Sequence, residues 1–252
     1  MLHSSLSNSV RFKLDYQGFH KERTLFTRRL MNLFTTGRSY IDHTAHYMSQ
    51  LFEDKAKAIV DIRAIESLKI KKSFGYRVIE KLRNYVQHRG LPIHAISFNF
   101  NRIDTDNSFK LLFTITPNLT PRYIEEDERF NREVLSEMKG KGKDIDIRPL
   151  VREYIEVLGN IHADLRKTLH IYISQWEETI LSAIDHFQKE HTGEGPIALY
   201  LITEDDGTLV DSTALIKEVI ESRKNLENKN QNLINLTKRY VTSEIIEQKK
   251  KD

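Results

Sequence analysis

Residues 74–100 read FGYRVIEKLRNYVQHRGLPIHAISFNF, and the fold turns on the change of rhythm inside them. Up to His88 the apolar residues Phe74, Val78, Ile79, Leu82, Tyr85 and Val86 recur at three and four positions, the spacing that gathers side chains on one face of an α-helix. Gly90 and Pro92 then end the helix: glycine tolerates the left-handed conformation beyond a helix terminus, and proline cannot continue the hydrogen-bond ladder. From Ile96 the period drops to two, with Ile96, Phe98 and Phe100 alternating with Ser97, Asn99 and Asn101 as in a strand. A mainly helical protein with a small β element is expected.

Working outward, Phe109, Leu111, Phe113 and Ile115 continue the two-residue period less cleanly, and the turn formers of 104–108 separate the two runs, so they read as a β-hairpin. An isolated hairpin is marginal in water, so helices or a further strand must cover it, and Ile197 to Ile202 is a candidate third strand. Upstream, an apolar stripe from Leu25 to Phe52 predicts a long helix over about Lys21 to Lys57, followed by a helical segment near Val60 to Ile70. Downstream, a short helix ends near Lys139 and Gly140-Lys141-Gly142-Lys143 makes a flexible, basic break. Helical spacing then runs from Leu150 to about Glu190, a helix of more than 40 residues unless it kinks near Gly159. Asp205-Asp206-Gly207 reads as a turn, Ser212 or Thr213 as a cap of the next helix, and the segment from Asn225 as a weak helix. The expected fold is an up-and-down helical bundle with a small antiparallel hairpin or three-stranded sheet. It forms one domain over 1–252, with the hairpin inserted at about 93–117 and a C-terminal extension at about 194–252.

Hydrophobic residues at 39% and charged residues at 30% are too apolar for a disordered chain and too charged for a membrane protein. With 39 basic residues against 36 acidic ones, the net charge of +3 makes no field that identifies a nucleic-acid partner, so local placement must decide. Ten histidines and no cysteine exclude disulfides, thiolate nucleophiles and cysteine zinc sites, and suit a reducing cytoplasm. No basic region followed by an apolar run opens the chain, and no apolar stretch approaches the length of a spanning helix, so neither secretion nor membrane insertion is expected.

Arginine and histidine stand five apart at Arg38 to His43, Arg83 to His88 and Arg89 to His94. With 18 arginines and 10 histidines, roughly 0.7 such matches arise by chance, so context decides among them. The third contains Gly90 and Pro92 and is set aside. In the second an amide, Asn84, follows the arginine, the run sits in the last turn of an amphipathic helix, and a breaker comes two residues after His88. Asn84 and His88 share one helix face, while Arg83 lies about 140° around and reaches the same point only at the helix end. A guanidinium fork matches phosphoryl oxygens, an imidazole exchanges a proton near neutral pH, and an amide orients either; together they suit metal-independent RNA cleavage. The ordinary alternative is a solvated helix end.

This run, Leu82-Arg83-Asn84-Tyr85-Val86-Gln87-His88 after a helical N-terminal half, resembles the HEPN superfamily. Its signature is Arg, a polar residue that is often Asn, His or Asp, three variable residues, and His. The resemblance implies a helical bundle, often a homodimer with two motifs facing each other across the interface. It also implies metal-independent endoribonuclease activity in toxin, antiphage or RNA-processing systems, with Arg83 and His88 as the catalytic pair beside Asn84. The hairpin and the segment after Gly193 depart from a minimal bundle. The implied partners are RNA, a second copy of the chain and a cognate antitoxin or defence protein; neither a metal nor a cofactor is assigned. A non-catalytic module that binds RNA, a nucleotide or a protein is the rival reading, and a purely structural helical protein the third.

Arg38 and His43 read either as a solvated or interhelical hydrogen-bonding patch or as a group that supports or binds substrate against the Arg83 helix. Asp42, His43 and His46 lack the further ligand that a metal would need. Arg63, Lys69, Lys71, Lys72, Arg77, Lys81 and Arg89 bias the surroundings of the motif toward positive charge, useful for phosphate contacts or simply a solvated surface. Tyr154, Tyr172, Trp176 and Phe187 read as core or dimer interface. Neither a phosphate-binding glycine loop nor a His-Glu-x-x-His zinc motif is present.

Overall fold

Ser73 starts the helix on which the site depends: in extended conformation, its hydroxyl accepts a hydrogen bond from the Tyr76 N–H at 3.1 Å. The helix, α2, runs from Phe74 to His88 in the computed structural model, which describes residues 16–51, 63–64, 67–105, 108–191, 199–238 and 244–250. Tyr76, Val78, Ile79 and Leu82 form its buried stripe, as their spacing requires. The N–H groups of Arg89 and Gly90 both turn back to the Tyr85 carbonyl, which closes the helix where glycine was expected to close it.

Helix α1, Tyr16–Leu51, buries Phe26, Leu30, Phe34, Ile41 and Met48. The expected continuation to Lys57 lies outside the described residues, as does part of the 60–70 segment, of which 63–64 and 67–70 are helical, the latter stretch continuing to 72. Arg38 of α1 pairs with Glu80 of α2, and the Phe19 ring packs on Phe98 in the strand that follows α2, so α1 lies against both. A third helix, α5, reaches from Ile147 to Glu190 and passes through Gly159 without interruption. Its first turns fit between α1 and α2 through two glycines. The Tyr154 ring lies where any side chain on Gly37 would stand, and a Cβ on Gly75 would meet the Leu150 carbonyl oxygen at 2.8 Å. Glu153 fastens this contact by accepting from the Gly75 N–H at 2.7 Å and the Ser73 hydroxyl at 3.1 Å.

Strands β1, Ala95–Thr105, and β2, Ser108–Leu119, form the expected hairpin, paired from Ala95 with Asn118 to Thr105 with Ser108. The short helix α3, Pro121–Glu125, and helix α4, Arg132–Lys141, follow. Helix α4 continues through Gly140 and stops at Gly142, whose φ of 139° only glycine adopts freely. Among the described residues the hairpin is extended into a four-stranded sheet, because β2 pairs with β3, Ile145–Asp146, near its end and with β6, Glu244–Lys250, along its first half. Of the third strand expected at Ile197 to Ile202, positions 197 and 198 lie outside the described residues and 199–202 are not part of this sheet. That run contributes to β4, Leu199–Asp205, which pairs with β5, Thr208–Leu215, in a separate hairpin. Asp206 and Gly207, both at positive φ, make the tight turn that allows this local pairing. The same pairing draws Ser212 and Thr213 into β5 opposite Ile202 and Leu201, so neither caps helix α6, Lys217–Asn230, whose N-terminal flank is Ile216 with no side-chain cap.

The chain divides into two compact units: residues 1–158 with 235–252, and residues 159–234. The second holds the later part of α5, the β4–β5 hairpin, α6 and a 3-10 turn at Gln231–Leu233. Among the described residues, no helix is long and apolar enough to cross a membrane.

Candidate functional site

Arg83 stands on α2 between the buried stripe and the solvent face, half-buried, and its Nη1 donates to the Asn84 side-chain oxygen at 3.1 Å. Its Nε is buried with no hydrogen-bond partner. Neighbouring residues in one helix turn point about 100° apart, so this bond is possible only because the arginine is long enough to fold back over the amide. The guanidinium also lies near Tyr154, whose hydroxyl is pushed up to about 12, first by burial and next by Glu80, against the opposing pull of Arg83 and Arg38.

His88 is the last residue of α2 and is exposed, with no side-chain hydrogen bond or ion pair among the described residues. Asn84, one turn earlier, is exposed on the same face. The structure thus joins Arg83 to Asn84 directly and leaves the His88 imidazole open to solvent, without a hydrogen bond to either.

Arg38 is engaged on both sides: Nε and Nη2 grip Asp42 at 3.0 and 2.8 Å, and Nη1 reaches Glu80 at 3.3 Å. These carboxylates hold its charge, so Arg38 acts as a brace between α1 and α2. His43 is exposed on α1, its ring 6.1 Å from that of Tyr47. Arg89 follows the end of α2 and lies 3.9 Å from Asp127, in a polar hollow that also carries Glu126, Glu128 and Arg129. That hollow is mostly acidic and is a poor place for a phosphate. Among the described residues, no three His, Asp or Glu side chains are grouped to hold a metal ion.

His94 is the residue that the sequence reading set aside, because Gly90 and Pro92 separate it from Arg89. Its Nδ1 accepts from the Thr120 N–H at 2.9 Å, so the ring proton belongs on Nε2, which is buried without a partner. Burial holds the imidazole below its usual range, against a smaller upward pull from Asp144. Asp144 itself accepts from the Thr120 hydroxyl. The one cue available beforehand was position, since His94 falls directly between the Pro92 breaker and the first strand.

Arg83, Asn84 and His88 can contribute a permanent charge, an amide that orients it, and an accessible proton carrier at one helix end. Tested against protein-family models, curated proteins and solved structures, the chain matches none, and the reading of this site rests on its own residues.

Proposed function

We propose that the protein is a metal-independent endoribonuclease of the HEPN type, acting in the cytoplasm in a toxin or phage-defence setting. One observation carries the reading: an exposed imidazole, unpartnered among the described residues, ends the helix on which, five residues earlier, an amide-oriented guanidinium stands. In the reaction, the ribose 2′-oxygen attacks phosphorus and the 5′-oxygen departs, which leaves a 2′,3′-cyclic phosphate and a 5′-hydroxyl end. His88 moves a proton at one of these oxygens, and Arg83 stabilises the charge that develops on the non-bridging oxygens.

A single imidazole cannot serve as base and acid in the same step, so the reading calls for a homodimer that brings two copies of His88 to one phosphodiester. Exposed apolar side chains such as Ile171, Tyr172 and Trp176 supply surface for self-association. A cognate antitoxin or defence protein completes the proposed partners.

The test uses the full chain and total RNA in the presence of chelator. Cleavage to 2′,3′-cyclic phosphate ends is expected, with a loss of about 10²- to 10⁴-fold in His88→Ala and in Arg83→Gln. Wild-type rates in either variant would sink the assignment. A second reading, a non-catalytic module that binds RNA, a nucleotide or a protein, is favoured by the lack of any bond between Arg83 and His88 and by the closed pairing of Arg38. It predicts RNA retention without cleavage, unchanged by His88→Ala.

A further inference from the structure

The unit 159–234 holds a groove that the RNA-cleavage reading does not use. Along one wall, His162, Arg166 and His170 follow at four-residue intervals on α5, which sets an imidazole, a guanidinium and a second imidazole in a row, with Lys167 beside them. The facing wall carries the amides Asn230 and Gln231 from the end of α6 and the turn after it. A glycine closes the groove's end: a Cβ on Gly159 would stand 2.8 Å from the Leu233 Cβ, so the turn can approach α5 this closely only because position 159 has no side chain. The space between the walls is about 340 Å³, the size of a small-molecule site.

The groove's charge is unbalanced at Arg166, while the exposed Lys167 stands 3.9 Å from Asp164 on its own helix. Arg166 enters no ion pair among the described residues, and its Nε is buried without a hydrogen-bond partner. The single carboxylate of the lining, Glu227, is already held by Arg223 at 2.7 Å. A buried, unanswered guanidinium nitrogen is costly, and an arriving anion with several acceptor oxygens relieves that cost. His162 reports the same excess, since burial first and Arg166 second hold its imidazole below the usual range. A planar guanidinium fork beside a lysine point charge suits a phosphate's multiple oxygens better than a lone carboxylate. The amides opposite offer both donors and acceptors to whatever the phosphate carries.

We infer that this groove binds a phosphomonoester of mononucleotide size, with its phosphate on Arg166 and Lys167 and its polar body against Asn230 and Gln231. The inference uses none of the residues of the RNA-cleavage reading and stands or falls apart from it.

Titration calorimetry of the full chain with adenosine monophosphate tests it, with inorganic phosphate as the comparison. One site per chain is expected, and Arg166→Gln should raise the Kd for the nucleotide about 10- to 100-fold. Asn230→Ala should weaken the nucleotide and leave inorganic phosphate unchanged. If Arg166→Gln loses its folded circular dichroism, Lys167→Gln takes its place and should weaken the nucleotide several-fold. Absence of binding at millimolar nucleotide, or undiminished affinity in the charge variant, overturns the site. Equal affinity for nucleotide and inorganic phosphate overturns its mononucleotide size.

Discussion

Two lengths of α5 carry the same apolar rhythm and meet opposite fates. Between Ile147 and Val157 the helix buries Ile147, Leu150, Tyr154 and Val157, whereas farther along Ile171 is 67% exposed and Trp176 47%, against 4% for Leu150. The early turns are received by α1 and α2, whose glycines at 37 and 75 open notches for Tyr154 and for the Leu150–Glu153 turn. The later turns share their unit with one short helix and a hairpin that leaves its own Tyr200, Leu201 and Val210 in solvent. Periodicity therefore selects which side chains share a face, and only the presence of a second surface decides whether that face is dry.

The largest test of this contrast swaps like for like. Leu150→Ala should cost about 2–5 kcal/mol in a denaturant titration, and Leu181→Ala, 38% exposed on the same helix, only about 0.5 kcal/mol or less. Equal costs would erase the distinction between the two lengths. Glycine substitutions sharpen the same point. Gly75→Ala places a methyl group against the Leu150 carbonyl and the Glu153 stem and should destabilise by about 1–3 kcal/mol. By contrast Gly140→Ala, in α4 with open space around it, should stabilise by up to about 1 kcal/mol through helix propensity.

Acidification probes both units through His94 and His162, each held below the ordinary imidazole value of 6.5 mainly by burial. Below 6.5 the unfolded chain takes up protons that the folded chain refuses, so stability is full above 6.5 and declines as pH falls toward the lowered folded values. His94→Gln should flatten that decline in urea midpoints measured between neutral and mildly acidic pH; an unchanged slope would assign it elsewhere. The smallest effect on folding is expected for Trp176→Asp. It should leave thermal unfolding of dilute protein within about 0.5 kcal/mol of wild type while lowering the mass measured by light scattering at high concentration. A mass that is the same for both proteins would remove this face from any self-association.

The helical content, the hairpin after the site helix and the end of α2 were all legible because each rests on local chemistry: spacing, turn formers and breakers. The β partners were not. Which strand lies beside β2 depends on where Ile145 and Glu244 return, at separations no periodicity reaches, and residues 199–215 found a partner within themselves because a two-residue left-handed turn makes local pairing easier than a distant one. The site divides along the same line. The bond from Arg83 to Asn84 joins neighbours, and Arg38 with Asp42 is an ordinary four-residue helix pair. That Arg38 also reaches Glu80 depends on the docking of two helices. His94 acquired its role from a backbone N–H 26 residues away.

By itself, the order of residues determined that this chain is mainly helical, where the site helix starts to close, and that an arginine, an amide and a histidine gather in its last turns. Tertiary structure alone decided that Arg83 is half-buried beside Tyr154 while His88 stays open, and that Arg166 ends in a groove whose carboxylate, Glu227, is held by Arg223. The reason is physical: backbone conformation responds to neighbours a few residues away, whereas burial, solvation and unpaired charge are properties of whatever distant surface the chain brings alongside.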